Sequence, residues 1–273
     1  MTLSYEKQSI GLEGVMNARE MGGYTMSDGR KIRPGRLIRC GYLQTATPED
    51  IRKLSEVYHV KHNCDFRGAS EVTHAPDCDI PGADYINLPS IDPTLDDWKG
   101  TPLAEVAVKF SHEKMVEVAK SEQAKQQTLN MYPSLVTNEY TQLQYATFLN
   151  YVARTERGAV LWHCSQGKDR TGWGAAFVLA ALGAPRELII ADFDLSNIFY
   201  QDLMNELFEM LDNCGGTEDD KDVIRGFIGC STKNFIHSLD IIDREYGSMH
   251  DYLINQLCLS EDEMERMRES FLE

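Results

Sequence analysis

The chain predicts an α/β fold with a mostly parallel central sheet flanked by helices, and three observations carry that expectation. Short apolar runs of strand length alternate with longer segments whose apolar residues recur at helical spacing. From Arg186 onward the pattern is helical only, so the C-terminal part should be all helix. Between these regions Gly158-Ala-Val-Leu-Trp162 reads as a buried strand, a short glycine-bearing loop follows, and Thr171-Gly-Trp-Gly-Ala-Ala-Phe-Val-Leu-Ala-Ala-Leu182 reads as a buried helix. With 273 residues, 42% of them hydrophobic, the chain can bury one large core, and 1–273 is expected to be a single domain.

Each element has its own justification. Residues 37–40 form a short strand after the Pro34-Gly35 turn. Thr47, Pro48, Glu49 and Asp50 combine an N-cap, a first-position proline and first-turn acids, which predicts a helix running to about residue 58. A strand over 60–66 then delivers Asp65 and Arg67 at its carboxyl end, and another over 83–88 is closed by Pro89. The segment at about 90–135 is rich in Lys, Glu, Gln and Ala. Its Val106, Val108, Phe110, Met115 and Val116 fit amphipathic helices, so it is either a lid over the site or a helical subdomain packed on the sheet. A helix over 140–155 feeds the strand at Val160 through Gly158. No internal repeat interrupts this order.

Composition excludes several classes of function. A net charge of −16 argues against a nucleic-acid partner, although six basic residues (Arg19, Arg30, Lys31, Arg33, Arg36, Arg39) face two acids between positions 15 and 41. No run of about 18 apolar residues occurs, so no integral membrane association is expected. The first residues lack the basic-then-apolar pattern of a signal peptide. Seven cysteines without close pairing point to a reducing compartment; cytoplasm is the expectation, with leaderless export left open. His59, His62 and His74 come without helical i, i+4 spacing or a CxxC pair, so neither metal nor cofactor is expected. Oligomeric state is not readable.

The chemistry concentrates in His163-Cys-Ser-Gln-Gly-Lys-Asp-Arg-Thr-Gly172. A glycine-bearing loop between a strand and a helix start presents backbone N–H groups to an anion. Cys164 at its base is placed for a stabilised thiolate, because a helix N-terminus and nearby cations lower a thiol pKa. Arg170 offers a planar fork matching two phosphate oxygens. The set suits nucleophilic attack on a phosphate ester. A nucleotide-binding loop is excluded, since Trp162 stands where a Walker glycine is needed and Asp169 where Ser or Thr is needed.

This string resembles the Cys-x5-Arg-Thr signature of the cysteine-dependent protein tyrosine phosphatase superfamily. Its Gly-Lys-Asp-Arg-Thr-Gly form is similar to the bacterial and fungal branch of tyrosine and dual-specificity phosphatases, some of which accept phosphoinositides. The resemblance extends to Asn17-Ala-Arg-Glu-Met-Gly-Gly23, Asp28-Gly29, Arg33-Pro-Gly-Arg-Leu-Ile-Arg-Cys-Gly41 and Cys64-Asp-Phe-Arg67 with Glu71 behind it. Asp192-Phe-Asp-Leu-Ser-Asn197 and Tyr246-Gly-Ser-Met-His-Asp-Tyr-Leu253 continue it downstream. Glu20 stands where the branch usually has Asp, Cys40 where it has Ser, and Phe66 where it has Leu.

The resemblance implies a tyrosine-phosphatase-like fold and a cysteinyl-phosphate intermediate on Cys164, with Arg170 clamping the phosphoryl oxygens. Ser165, Gln166 and Gly167 would line the substrate. Lys168 would either add positive potential for a multiply charged substrate or be a solvated loop residue. Thr171 would donate to the thiolate or cap the helix, and His163 would orient the cysteine loop. Asn17, Arg19 and Arg39 would shape the floor of the site or tie the N-terminal arm to the sheet. The general acid is Asp169 or Asp65, because Asp96-Asp97-Trp98 has the wrong order for a Trp-Pro-Asp loop. The implied substrate is protein phosphotyrosine, with phosphoserine and phosphothreonine as possible extensions. A phosphoinositide is the alternative substrate and an inactive phosphate-binding module the non-enzymatic one. Cys40 and Cys64 are candidate partners for an oxidised Cys164.

Overall fold

The computed structural model describes residues 3–93 and 100–273; the Asp96-Asp97-Trp98 stretch lies outside the described residues. A five-stranded sheet has the order β1-β2-β5-β3-β4. Its strands are β1 (Arg19–Glu20), β2 (Leu37–Cys40), β3 (Val60–Asp65), β4 (Asp84–Asn87) and β5 (Ala159–His163). β2, β5, β3 and β4 run parallel, and only β1 is antiparallel to its neighbour. All five residues of β5 are buried, as a central parallel strand covered on both faces requires.

Register sets the location of the site. Cys40, His163 and Asp65 are paired across β2, β5 and β3, and Asp65 pairs with Asn87 of β4. The strand ends therefore stand in one row, and the loop after β5 rises from its middle. In an open parallel sheet that crevice beyond the carboxyl ends is where ligands bind.

The predicted strands at 37–40, 60–66 and 83–88 form with boundaries within a residue or two of expectation. β1 went unpredicted because two residues carry no periodicity. The helix after Thr47 begins at Pro48–Arg52 with a reciprocal Thr47–Asp50 capping box, then widens into a π-helical turn over Lys53–Val57. The helix expected at 140–155 spans Glu139–Ala153, capped by Asn138. Beyond Arg186 the structure is helical throughout, with a 3-10 turn at Leu195–Phe199. No helix among the described residues is long and apolar enough to cross a membrane.

Apolar side chains gather in three clusters. One lies between the sheet and the buried helix Asp169–Leu182, joined by Trp162, Phe148, Tyr145 and the C-terminal helices. A second covers the other face with Ile38, Leu54, Val60, Ala159 and Leu161. The third forms away from the sheet. The insertion is helical over Pro102–Val108, His112–Ala119 and Glu122–Thr137. Leu103, Val106, Met115 and Val116 of this segment pack against Met204, Leu207, Leu211, Val223 and Ile224 of the helices Gln201–Asn213 and Glu218–Phe227. The alternative of a subdomain resting on the sheet therefore holds only for its end, where Tyr132, Leu135 and Val136 join the sheet-side cluster. The reason is that the apolar stripes of the two later helices supply a matching surface closer than the sheet.

One buried polar knot ties strand to helix. Arg19 and Arg39 are cross-strand partners on β1 and β2, and both guanidinium groups reach the carboxylate of Asp192. Tyr24 donates to the same carboxylate at 3.0 Å. Burial would raise the Asp192 pKa, but Arg39 and Arg19 outweigh it and hold the group below its ordinary value. Asp192→Asn leaves two buried guanidinium groups without a counter-charge and should cost about 3–5 kcal/mol, read as a lower denaturation midpoint with an unchanged m-value. A depressed carboxylate stabilises above the unfolded value of about 3.9 and loses that contribution as pH falls through the folded one. Acid unfolding of the wild type should accordingly be steeper below pH 4 than that of the variant.

Candidate active site

The loop 164–168 joins β5 to the helix Asp169–Leu182. Gly167 sits at φ 67°, and a Cβ there would lie 2.3 Å from the carbonyl oxygen of Cys40, so no other residue fits without moving the strand end. Each loop carbonyl is held from outside. Cys164 O accepts from His163 Nδ1 at 3.2 Å and Ser165 O from the N–H of Tyr42 at 3.2 Å. Gln166 O accepts from Asn17 Nδ2 and the Tyr200 hydroxyl, each at 3.4 Å. Gly167 O accepts from Asn17 Nδ2 at 2.7 Å and Arg39 Nη2 at 3.0 Å, and Lys168 O from Arg39 Nη2 at 3.2 Å. In a trans peptide the next N–H points opposite the carbonyl. The N–H groups of Ser165, Gln166, Gly167, Lys168 and Asp169 therefore turn to the other side. Among the described residues none of them donates to another backbone group. They form an anion cradle.

Cys164 lies at its base, almost fully buried. Burial opposes ionisation, but the charge of Arg170 and the nearby hydroxyl and N–H of Thr171 outweigh it, and the thiol pKa is lowered. The Arg170 guanidinium grips both carboxylate oxygens of Glu71, at 2.7 and 2.8 Å. The Ser165 hydroxyl donates to the same carboxylate, and the Arg170 carbonyl accepts from Tyr145 at 2.9 Å. Burial would raise the Glu71 pKa, yet Arg170 and Ser165 hold it at about 2. The sequence assigns Glu71 no role of its own. Its only local signal is its position three residues after Gly68, whose N–H it caps at 2.9 Å.

The two acid candidates have different surroundings. Asp169 opens its helix with a partly exposed carboxylate that accepts from the buried hydroxyl of Tyr132. The Tyr132 oxygen in turn accepts from the N–H of Ser231 at 2.9 Å. Asp65 is fully buried and accepts from Arg67 Nη2 at 2.8 Å and from Tyr85 at 2.8 Å. Tyr132 lies on an insertion helix far away in sequence, and nothing local announced it.

Three expectations need correction. Lys168 is neither aimed at a ligand nor solvated. It is 4% exposed, with Nζ held by the carbonyls of Phe227, Ile228 and Gly229 at 2.7, 3.0 and 2.8 Å, where it closes the C-terminal end of the helix Glu218–Phe227. Arg19 and Arg39, expected to shape the floor of the site or tie the N-terminal arm to the sheet, do not line a substrate: both are fully buried, Arg39 serving the loop carbonyls and Asp192, Arg19 serving Asn17 and Asp192. Cys40 and Cys64 are buried thiols pushed up by burial, so neither is a ready nucleophile toward an oxidised Cys164. Asp65, Asp77 and His163 bring metal-ligand atoms within 4.8 Å of one another. Arg67 donates to both carboxylates, so a cation would have to displace its guanidinium.

These contacts make Lys168 chiefly structural. Lys168→Met should lower stability by about 1.5–3 kcal/mol while orthovanadate affinity stays within about threefold; thermal melts and vanadate titration read the two effects separately.

Comparison with known proteins agrees with this geometry. The chain is 28% identical over 275 residues to the triple specificity protein phosphatase PtpB of Mycobacterium tuberculosis, covering 94% of this chain and 96% of that protein. A Cupriavidus necator protein carrying a tyrosine-protein phosphatase name is 25% identical over 192 residues, 70% of this chain and 64% of its own. A tyrosine-protein phosphatase of Nostoc commune is 23% identical over 168 residues, 59% of this chain and 57% of its own. The family model for the tyrosine phosphatase family matches residues 10–273, so with its thiol, arginine and cradle this chain belongs to that family.

Proposed function

We propose that this protein hydrolyses phosphate monoesters through a cysteinyl-phosphate, with protein phosphotyrosine as the first substrate and phosphoserine or phosphothreonine as further ones. The observation that carries the reading is the row of inward N–H groups above an acidified thiol. The N–H groups of residues 165–169 and the Arg170 guanidinium bind the three equatorial phosphoryl oxygens, and their hold tightens as charge spreads there in the transition state. Cys164 Sγ attacks phosphorus, the bond to the tyrosine oxygen breaks, and the phenolate takes a proton. Water then attacks the cysteinyl-phosphate and returns the thiolate.

Asp169 is assigned as the proton donor. Its carboxylate opens the helix that follows the loop and is partly exposed, whereas Asp65 is sealed behind Arg67 and Tyr85. The phosphoinositide alternative loses its main residue, because the Lys168 ammonium is committed to three carbonyls. The non-enzymatic alternative is disfavoured by the retention of both Cys164 and Arg170, with the thiol pKa lowered.

Cys164→Ser should reduce turnover of an aryl phosphate to background; equal activity in that variant would refute the mechanism. Asp169→Asn should lower kcat on a phosphotyrosine peptide by about 10²–10⁴-fold and abolish the basic limb of the pH–rate profile. Asp65→Asn should instead keep that limb and lose stability. A normal basic limb in Asp169→Asn would remove Asp169 from its role.

A further inference from the structure

Beneath the cradle lies a buried charge cluster that none of the hydrolytic steps uses. Asp77 belongs to the connection between the helix Ala69–His74 and β4. Its Oδ1 accepts from the N–H of Leu43 at 2.8 Å and from Arg67 Nη2 at 2.9 Å, and its Oδ2 stands 2.9 Å from His163 Nε2. On the opposite edge of the ring, His163 Nδ1 is 3.2 Å from the carbonyl of Cys164 and 3.8 Å from Asp65 Oδ1. Both ring nitrogens therefore lie close to oxygens, Nε2 in an ionic contact with Asp77 that is not an aligned hydrogen bond. A neutral imidazole would set a lone pair beside one of these oxygens, whereas the doubly protonated ring is attracted to both. His163 and Asp65 are fully buried, and Arg67 nearly so. Asp65 and Asp77 balance Arg67 and His163, which closes the cluster at zero net charge.

We propose that Asp77 is a positioning residue for the nucleophile: it holds the His163 ring as an imidazolium with its positive end turned toward Cys164 and so keeps that sulfur ionised at neutral pH. The inference rests on Cys164 being the attacking atom. His163 adjoins Cys164 in the chain, while Asp77 contacts the far nitrogen, so the ion pair acts as a dipole whose cationic end is nearer the sulfur. Burial alone would lower the His163 pKa, and Asp77 and Asp65 outweigh it. The other groups around the ring do not change this balance. Tyr85 donates to Asp65 at 2.8 Å, the Tyr42 ring lies under Arg67 at 5.8 Å, and Cys40 is a protonated thiol at the adjoining strand end. If Asp77 becomes neutral, the ring sheds its proton and the positive charge on the residue adjoining Cys164 is lost.

The pH dependence of Cys164 alkylation by iodoacetamide reads the thiolate without any turnover. Asp77→Asn should move the midpoint up by about one pH unit and leave the alkaline plateau unchanged, with the acid limb of kcat/KM following. Asp77→Glu should recover most of the shift. In a His163→Gln background, Asp77→Asn should add none. A folded Asp77→Asn protein with the wild-type midpoint overturns the inference, as does the same shift in the His163→Gln background. Nitrogen-15 shifts of His163 in the wild type give an independent check: both ring nitrogens should be protonated at pH 7, and a neutral ring also overturns it. A shifted midpoint in a protein without phosphatase activity would uphold this inference and refute the proposed function instead.

Discussion

The cradle depends on the capture of its carbonyl oxygens from below. A peptide in a loop of this kind can turn either its N–H or its C=O toward the centre, and a carbonyl there would repel an anion. Asn17 and Arg39 remove that choice for the peptides following Gln166, Gly167 and Lys168. Both residues belong to the part of the chain around β1 and β2. Asn17 holds a positive φ of 54°, a conformation asparagine tolerates better than most residues. Arg39 is placed by the parallel register of β2 on β5. The strand next to the catalytic loop thus sets the direction of the loop's dipoles.

Charge inside this molecule is organised in small sets. The cluster of Asp65, Arg67, Asp77 and His163 is closed, and Arg170 is answered by Glu71. The floor differs, because Arg19 and Arg39 share the single carboxylate of Asp192. One positive charge is left over directly under the carbonyls it orients. In a chain with a net charge of −16, that local surplus lets a doubly negative phosphate approach its centre.

Two side chains link the cradle to the helices outside the sheet. Lys168 is bound to the end of the helix Glu218–Phe227, and Asp169 is bound to Tyr132 of the insertion. The helix Glu218–Phe227 belongs to the apolar cluster that the insertion shares with the helices after Tyr200, and Tyr132 marks where the insertion joins the sheet-side cluster. The middle of the signature thus serves architecture and chemistry together, and displacement of these helices would be felt at Asp169.

How much was legible in advance follows from the range of each interaction. The strands, the capped helices and the strand–loop–helix around Cys164 obey local rules of periodicity, capping and turn chemistry, and the sequence alone determined them. It also marked the nucleophile and arginine proposed here, since a thiol, a glycine loop and a guanidinium at that spacing have few other uses. Side-chain partners are a different matter. That Lys168 faces carbonyls some 60 residues away, that Glu71 holds Arg170 from 99 positions off, and that Asp77 reaches His163 leave no mark in local pattern. Those pairings were decided only when the sheet register and helix packing brought the groups together, because a buried charge takes whichever partner the fold sets within hydrogen-bonding distance.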